Sequence, residues 1–341
     1  MAFDIESRFC QTDRHKMHYL CSGPESGTPI IFLHGWPELS HSWRAQLPFF
    51  SALGYRAIAP DMRGYGKSTV YDSHEAYAQA EIVTDMLDLL NHLQVERAIW
   101  VGHDWGCATA WSMASHHPDK TIGVANLCVP YAVLENGLDT LIELVDRAVY
   151  PLDRYPAGQW DYQYFYLENF DRATEVFANN PRNTLIALFR SGSSEGIGQP
   201  AITADIRRQG GWFGELDEAP PMPLDTSVLS EAELDIYVQS LSENGFFGPD
   251  SYYMNHERNA EFASQAKNGG ELAMPVLFLA AKYDFVCETI DSRLAEPMRE
   301  KCRDLREVIV ECGHWMAQEQ PQAVNVALRD WIQDKLNDKL F

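Results

Sequence analysis

Short, wholly apolar runs alternate along the chain with longer stretches in which apolar residues recur every three or four positions. Ile30-Ile31-Phe32-Leu33 is apolar throughout, as expected of a parallel strand covered on both faces. Residues 56–59, 98–101, 122–128, 276–281 and 307–310 predict further strands. Between them, residues 42–53, 75–93, 107–117 and 291–301 read as helices; in the second, Ile82, Val83, Met86, Leu87, Leu90 and Leu93 share one face. A last helix from Pro321 carries Val324, Ala327, Leu328 and Trp331 on one side. Near the start, residues 8–11 and 16–22 flank a polar turn and predict a hairpin at a sheet edge. This alternation predicts an α/β fold with a doubly wound, mostly parallel sheet.

The strand rhythm stops between about residues 134 and 270, where the sequence is helical and aromatic. A glycine-containing stretch from Ser191 and the run Pro220-Pro221-Met222-Pro223 interrupt it, and Ser230-Glu-Ala-Glu233 opens a helix with a capping box. The expected organisation is a core in two halves, residues 1–133 and 271–341, with a helical cap, residues 134–270, inserted between them. Ligands of such sheets bind beyond the carboxyl ends of the strands. The candidate residues fall there.

Gly102-His103-Asp104-Trp105-Gly106 joins the strand 98–101 to the following helix. A strand, a tight turn with small residues on both sides of a reactive one, and a helix make a nucleophile elbow, with Asp104 in the reactive position. The turn strains the backbone of Asp104 and brings neighbouring chain close, which demands Gly102 and Gly106. The free N–H groups of the helix start favour a carboxylate. Asp284 follows the strand 276–281, and His314 follows the last strand. The order Asp104, Asp284, His314 is nucleophile, acid and base of an α/β-hydrolase triad with Asp in the place of Ser. His34-Gly35-Trp36-Pro37 follows the first parallel strand. Its loop and the residue after the nucleophile predict an oxyanion hole built from the main-chain amides of Trp36 and Trp105. Pro37 is a candidate for a cis bond, and the side chains of His34 and His103 are expected to be structural.

Composition narrows the partners. A chain of 341 residues, 45% hydrophobic and 12% aromatic, has ample material for a core. A net charge of -22 argues against nucleic acid and anionic membrane surfaces. The first residues lack a basic segment followed by an apolar one, and no stretch is long and apolar enough to span a bilayer, so a cytoplasmic protein is expected. Seven scattered cysteines without a C-x-x-C pair predict reduced thiols rather than disulfides or a zinc site, with Cys107 and Cys312 as packing residues.

His34-Gly-Trp-Pro-Glu38, Asp61-Met-Arg-Gly-Tyr-Gly-Lys-Ser68, Gly102-His-Asp-Trp-Gly106, Lys282-Tyr-Asp284 and Cys312-Gly-His-Trp315 together resemble the soluble epoxide hydrolases of the α/β-hydrolase superfamily. The resemblance covers essentially the whole chain. Trp160-Asp-Tyr162-Gln-Tyr-Phe-Tyr166 and the segment from Gly245 to Arg258 are similar to the two places where that family carries its ring-opening tyrosines, which match Tyr162 and Tyr253. Tyr164, Tyr166 and Tyr252 would be packing. The resemblance implies that Asp104 opens an epoxide to a covalent ester while Tyr162 and Tyr253 hold the departing oxygen. Water activated by His314 and Asp284 then releases a vicinal diol, with no metal or organic cofactor. Trp36, Trp105, Tyr131, Trp160 and Phe165 are the pocket candidates and imply an apolar epoxide as the small-molecule partner, with water. Residues 191–225 are expected to shape the entrance, and the protein to be a monomer or homodimer. A haloalkane dehalogenase is the enzymatic alternative, through Asp104-Trp105; against it, Trp36 stands where those enzymes tend to offer Asn or Glu. Trp105 also stands where a fluoroacetate-type dehalogenase would carry Arg. A non-catalytic binding protein on this fold would need no complete set of nucleophile, base, acid and tyrosine pair.

Overall fold

The computed structural model describes residues 3–336; Met1 and Ala2, where the reading of the amino terminus begins, and residues 337–341, which end the second half of the core, lie outside the described residues. Eight strands form one sheet: β1 (Glu6–Gln11), β2 (Lys16–Ser22), β3 (Pro29–Leu33), β4 (Arg56–Pro60), β5 (Ala98–His103), β6 (Thr121–Leu127), β7 (Leu272–Ala281) and β8 (Cys302–Val310). Their spatial order is β1-β2-β4-β3-β5-β6-β7-β8. The β1–β2 and β2–β4 pairs are antiparallel and all others parallel. Every residue of β3, β4, β5 and β6 is buried, so these strands need no polar face.

Three helices precede β6: α1 (Gln46–Ala52), α2 (Gln79–Leu93) and α3 (Trp105–His116). Seven more lie between β6 and β7: α4 (Leu138–Glu143), α5 (Asp161–Ala178), α6 (Pro181–Leu188), α7 (Ile206–Gln209), α8 (Glu231–Asn244), α9 (Phe247–Ser251) and α10 (His256–Ser264). Then come α11 (Glu296–Lys301), α12 (Met316–Glu319) and α13 (Pro321–Lys335). The insertion separates β6 from β7 in sequence, yet the two are neighbours, with Val124 opposite Val276 and Leu127 opposite Leu279. All twelve residues of α3 are buried: sheet on one side and inserted helices on the other leave no solvent face to mark with polar residues.

Several boundaries differ from the sequence expectation, among them the start of the last strand, expected at 307 and found at Cys302. The helix expected over 42–53 is a 3₁₀ turn, Ser40–Trp43, followed by α1. That over 75–93 is likewise a 3₁₀ turn, His74–Tyr77, and α2, because Ala78 between them is extended. Of the helix expected over 291–301 only α11 forms. The Glu288 carboxylate accepts the N–H groups of Ile290, Asp291 and Ser292 and closes a turn there instead, and Pro297 sets the helix start. β7 begins at Leu272, ahead of Pro275, because a register shift between those two residues accommodates the proline. Among the described residues no helix is long and apolar enough to cross a membrane. All seven cysteines are free and buried.

Candidate active site

β5 and α3 meet at Asp104, whose φ of 51° and ψ of -123° lie where few side-chain-bearing residues go. The glycines make the turn possible. A Cβ on Gly106 would stand 2.1 Å from the Leu33 carbonyl oxygen, and one on Gly102 would stand 2.6 Å from the Gly106 carbonyl oxygen. A Cβ on Gly35 would meet Asp104 Oδ1 at 2.3 Å. That approach brings the Trp36 N–H within 2.7 Å of Asp104 Oδ1, to which it donates. Trp105 opens α3, so its N–H has no partner within the helix. The Trp36–Pro37 bond is cis.

Asp284 lies just past β7 and His314 just past β8. Asp284 Oδ1 accepts the Val286 and Cys287 N–H groups at 3.1 and 3.0 Å, and its Oδ2 accepts the His314 Nδ1 proton at 2.6 Å. The opposite ring nitrogen, Nε2, is 3.7 Å from Asp104 Oδ2, too far for a hydrogen bond. Burial lowers the pKa of His314, but the Asp284 carboxylate, supported by Asp104 and Glu38, outweighs it and lifts the imidazole to about 9. Burial raises Asp284; His314 more than offsets this, holding the carboxyl below its ordinary range.

Behind Asp104, Asp284 and His314 is a buried support. His103 Nδ1 lies 2.6 Å from Glu38 Oε2, and its Nε2 lies 2.7 Å from the His314 carbonyl oxygen. Glu38 also accepts the Gly35 N–H at 3.0 Å and the Gln318 amide at 2.8 Å. One carboxylate thereby joins the Trp36 loop, the elbow and the His314 turn. Burial raises its pKa, but His103 dominates and leaves it ionised.

Tyr162 lies in the first turn of α5, and Tyr253 in the 3₁₀ turn Tyr252–Met254 after α9. Their rings are 5.6 Å apart and nearly perpendicular. Tyr253 packs 5.2 Å from Trp105 and stacks on Tyr166 at 4.5 Å. Burial pushes both phenols well above the ordinary tyrosine value, so both remain protonated donors. The Tyr162 hydroxyl accepts from Gln163 Nε2 at 3.1 Å. The Tyr252 hydroxyl donates to the Arg63 carbonyl at 3.0 Å, and the Arg63 guanidinium grips Asp85 with two hydrogen bonds of 2.8 Å. The glycine-rich loop 61–68 thus pins the turn that carries Tyr253.

Asp104, Trp105, Trp160 and Tyr162 share one tight cavity with Val129, Val133, Leu134, Leu141, Gln163, Cys287 and Leu294. It has room for about one water molecule. Of the five pocket candidates, Trp105 and Trp160 line it. Trp36 contributes its main-chain N–H, while its ring stacks on Trp212 and meets Tyr253 edge-on. Tyr131 and Phe165 are elsewhere. The Tyr131 hydroxyl is drawn to the Gly270 carbonyl at 2.8 Å, with its ring 5.2 Å from Trp111, and Phe165 packs toward Gly211. Of the aliphatic lining that sequence reading overlooked, Val129, Val133 and Leu134 come soon after the carboxyl end of β6, and Cys287 follows Asp284 by three residues; position after a strand end was the available signal for these. Residues 191–225 lie against both sides of the site. The Gly192 and Gly313 N–H groups share Glu319 Oε2 at 2.9 and 2.8 Å, and Trp212 covers Trp36. Two residue triplets have metal-ligand atoms within 4.8 Å of one another, His103–Cys128–His314 and Asp284–Cys287–His314. Both draw on His314, whose Nδ1 is already engaged by Asp284.

A mostly parallel sheet split by an insertion, with Asp104, Asp284 and His314 brought together beyond three strand ends, is the architecture of an α/β hydrolase. The family described as the alpha/beta hydrolase fold matches residues 28–321, and within it the chain belongs to the epoxide hydrolases. It is 32% identical over 314 residues to epoxide hydrolase A of Mycobacterium tuberculosis, covering 90% of this chain and 91% of that one. It is 28% identical to bifunctional epoxide hydrolase 2 of Sus scrofa, covering 95% of this chain and 54% of that protein, so it spans about half of that relative. Among solved structures, epoxide hydrolase A of Mycobacterium thermoresistibile superposes with a TM-score of 0.79 at 29% identity, covering 97% of this chain and 98% of the other. An epoxide hydrolase of Vigna radiata gives 0.74 at 26% identity, with the same coverage.

Proposed function

We propose that the protein hydrolyses a small, largely apolar epoxide to a vicinal diol through an ester on Asp104. The observation that carries this reading is a carboxylate, not a hydroxyl, at the strained turn, with the Trp36 N–H at 2.7 Å and His314 Nε2 at 3.7 Å. A carboxylate suits attack on alkyl carbon. Asp104 forms a C–O bond to a ring carbon as the C–O bond to the epoxide oxygen breaks, and a proton from Tyr162 or Tyr253 neutralises the alkoxide. His314 Nε2 then takes a proton from water as the water oxygen attacks the ester carbonyl. The oxyanion rests on the Trp36 and Trp105 amides, and its collapse expels the diol as His314 returns its proton to the leaving oxygen; the second proton of the water, lost from the Asp104 carboxyl, restores the phenol. Asp284 stabilises the imidazolium formed in that step. The helices of residues 134–270 carry both phenols and act as the lid over the strand ends.

The test is product analysis with an aryl epoxide and, separately, a chloroalkane, using Asp104→Ala as the blank. Diol without halide is the expected result. One observation favours dehalogenation: the Trp105 and Trp160 indole N–H groups are buried without a partner among the described residues, and both residues line the cavity, where they could hold a halide. Halide without diol would move the assignment there. As a second readout, His314→Gln is expected to gain the mass of one substrate on Asp104; no added mass would rule out the two-step scheme.

A further inference from the structure

Asp250 in α9 is a buried carboxylic acid that the reaction above does not use. Its Oδ1 accepts the Trp36 Nε1 proton at 2.8 Å, and its Oδ2 accepts the Thr174 hydroxyl proton at 3.1 Å. It has no cationic partner among the described residues, and burial pushes its pKa up to about 8 against the lowering influence of those hydrogen bonds. An aliphatic side chain of similar size would fill the space without the cost of desolvating a carboxyl.

Both contacts lead into the site. Trp36 supplies the N–H on Asp104 Oδ1, and its ring stands 6.1 Å from Tyr253, edge-on. Thr174 belongs to α5, the Tyr162 helix, beyond the break in that helix at Asn169, where φ is -141° and ψ 45°. Asp250 itself precedes Tyr253 by three residues. We propose that Asp250 is a positioning residue of the hydrolytic site. Through the Trp36 indole it fixes the main-chain N–H that holds Oδ1 of Asp104, the oxygen left as the ester carbonyl, and through Thr174 it ties the Tyr162 helix to the turn carrying Tyr253. The inference rests on the epoxide-hydrolase reading above. The oxygen held by Trp36 becomes the oxyanion in ester hydrolysis, and a misplacement of about 1 Å costs up to about 100-fold in rate. The loss therefore falls on kcat rather than on KM.

The experiment compares Asp250→Asn, Asp250→Leu, Trp36→Phe and the Asp250→Leu/Trp36→Phe pair in diol formation from an aryl epoxide. Asp250→Leu and Trp36→Phe should each lower kcat by about 10- to 100-fold, with KM changed less than about threefold. Asp250→Asn, whose amide oxygen accepts the same indole proton, should stay within about threefold of wild type. The double variant should be no slower than the slower single one. The Trp36 indole ¹H–¹⁵N resonance, assigned by its loss in Trp36→Phe, should move in Asp250→Leu and stay near its wild-type position in Asp250→Asn. Multiplying losses in the double variant, an unchanged kcat in Asp250→Leu, or an unmoved indole resonance would overturn the proposal. Wild-type protein that forms no diol would instead remove the epoxide-hydrolase reading, while the indole resonance still decides whether Asp250 holds Trp36.

Discussion

Esterification of Asp104 should itself switch His314 from acid to base. In the free protein the Asp104 carboxylate is 3.7 Å from Nε2 and helps to hold the imidazole near a pKa of about 9. Alkylation converts that carboxylate to a neutral ester. A unit charge at about 4 Å is worth about 1 kcal/mol in water and about 4 kcal/mol at an effective dielectric of 20. Since about 1.4 kcal/mol moves a pKa by one, His314 in the ester should titrate between about 6 and 8, whereas the free protein titrates at about 9. Rapid mixing with an epoxide, followed by tryptophan fluorescence and quenched for product, separates ring opening from ester hydrolysis between pH 5.5 and 9.5. The hydrolysis rate should rise with pH through a midpoint between about 6 and 8, and the ring-opening rate should show no midpoint there. Asp284→Asn removes the carboxylate with the larger effect on His314 and should move the hydrolysis midpoint lower. A hydrolysis midpoint that stays at the free protein's value would refute the reasoning, because the Asp104 charge would then have no hold on His314.

In the proposed mechanism each phenol is a separate donor, so Tyr162→Phe and Tyr253→Phe should each slow ring opening by roughly ten- to a hundredfold, and the double change should nearly abolish it; a double variant that alkylates at the wild-type rate would remove both from the mechanism. Gly106→Ala sets a methyl 2.1 Å from a main-chain oxygen and should cost about 3 kcal/mol or more in urea unfolding. Gly35→Ala collides with the Asp104 side chain instead, so its loss of ring-opening rate should exceed its loss of stability. His314 also leaves a signature in thermal stability. Its folded value, about 9, lies above the ordinary 6.5, so protonation favours the folded state. That contribution is complete below pH 6.5 and is lost as pH rises through 9; over this window the Tm of wild type should fall relative to His314→Gln. Parallel Tm curves would contradict it.

The parts most legible in the sequence are those where local chain chemistry and the fold make the same demand. The apolar run of β3, the glycines around Asp104 and the Ser230–Glu233 capping box each state a requirement of their own backbone. The turn closed by Glu288 was hidden because a side chain displaced helical hydrogen bonding that the periodicity allowed. Tyr131 and Phe165 were misplaced for another reason: being aromatic and near a strand end or the Tyr162 segment does not say which way a ring turns, and for Tyr131 a carbonyl 139 residues away decided it. Glu38 was quoted only as part of a motif, and its links to His103 and Gln318 span the chain. Asp250 lies in the Gly245–Arg258 segment, but nothing local to it shows its reach to Trp36 and Thr174.

The pairing of β6 with β7 across the insertion orders events during synthesis. The elbow and its carboxylate leave the ribosome first, then all the helices that carry the two phenols, and only then the strands that bring Asp284 and His314. On the proposed mechanism, a chain that holds Asp104 without His314 would form an ester that it could not release. The β6–β7 pair cannot form until the inserted helices have been made, so on that mechanism the carboxylate acquires its cover before it acquires turnover.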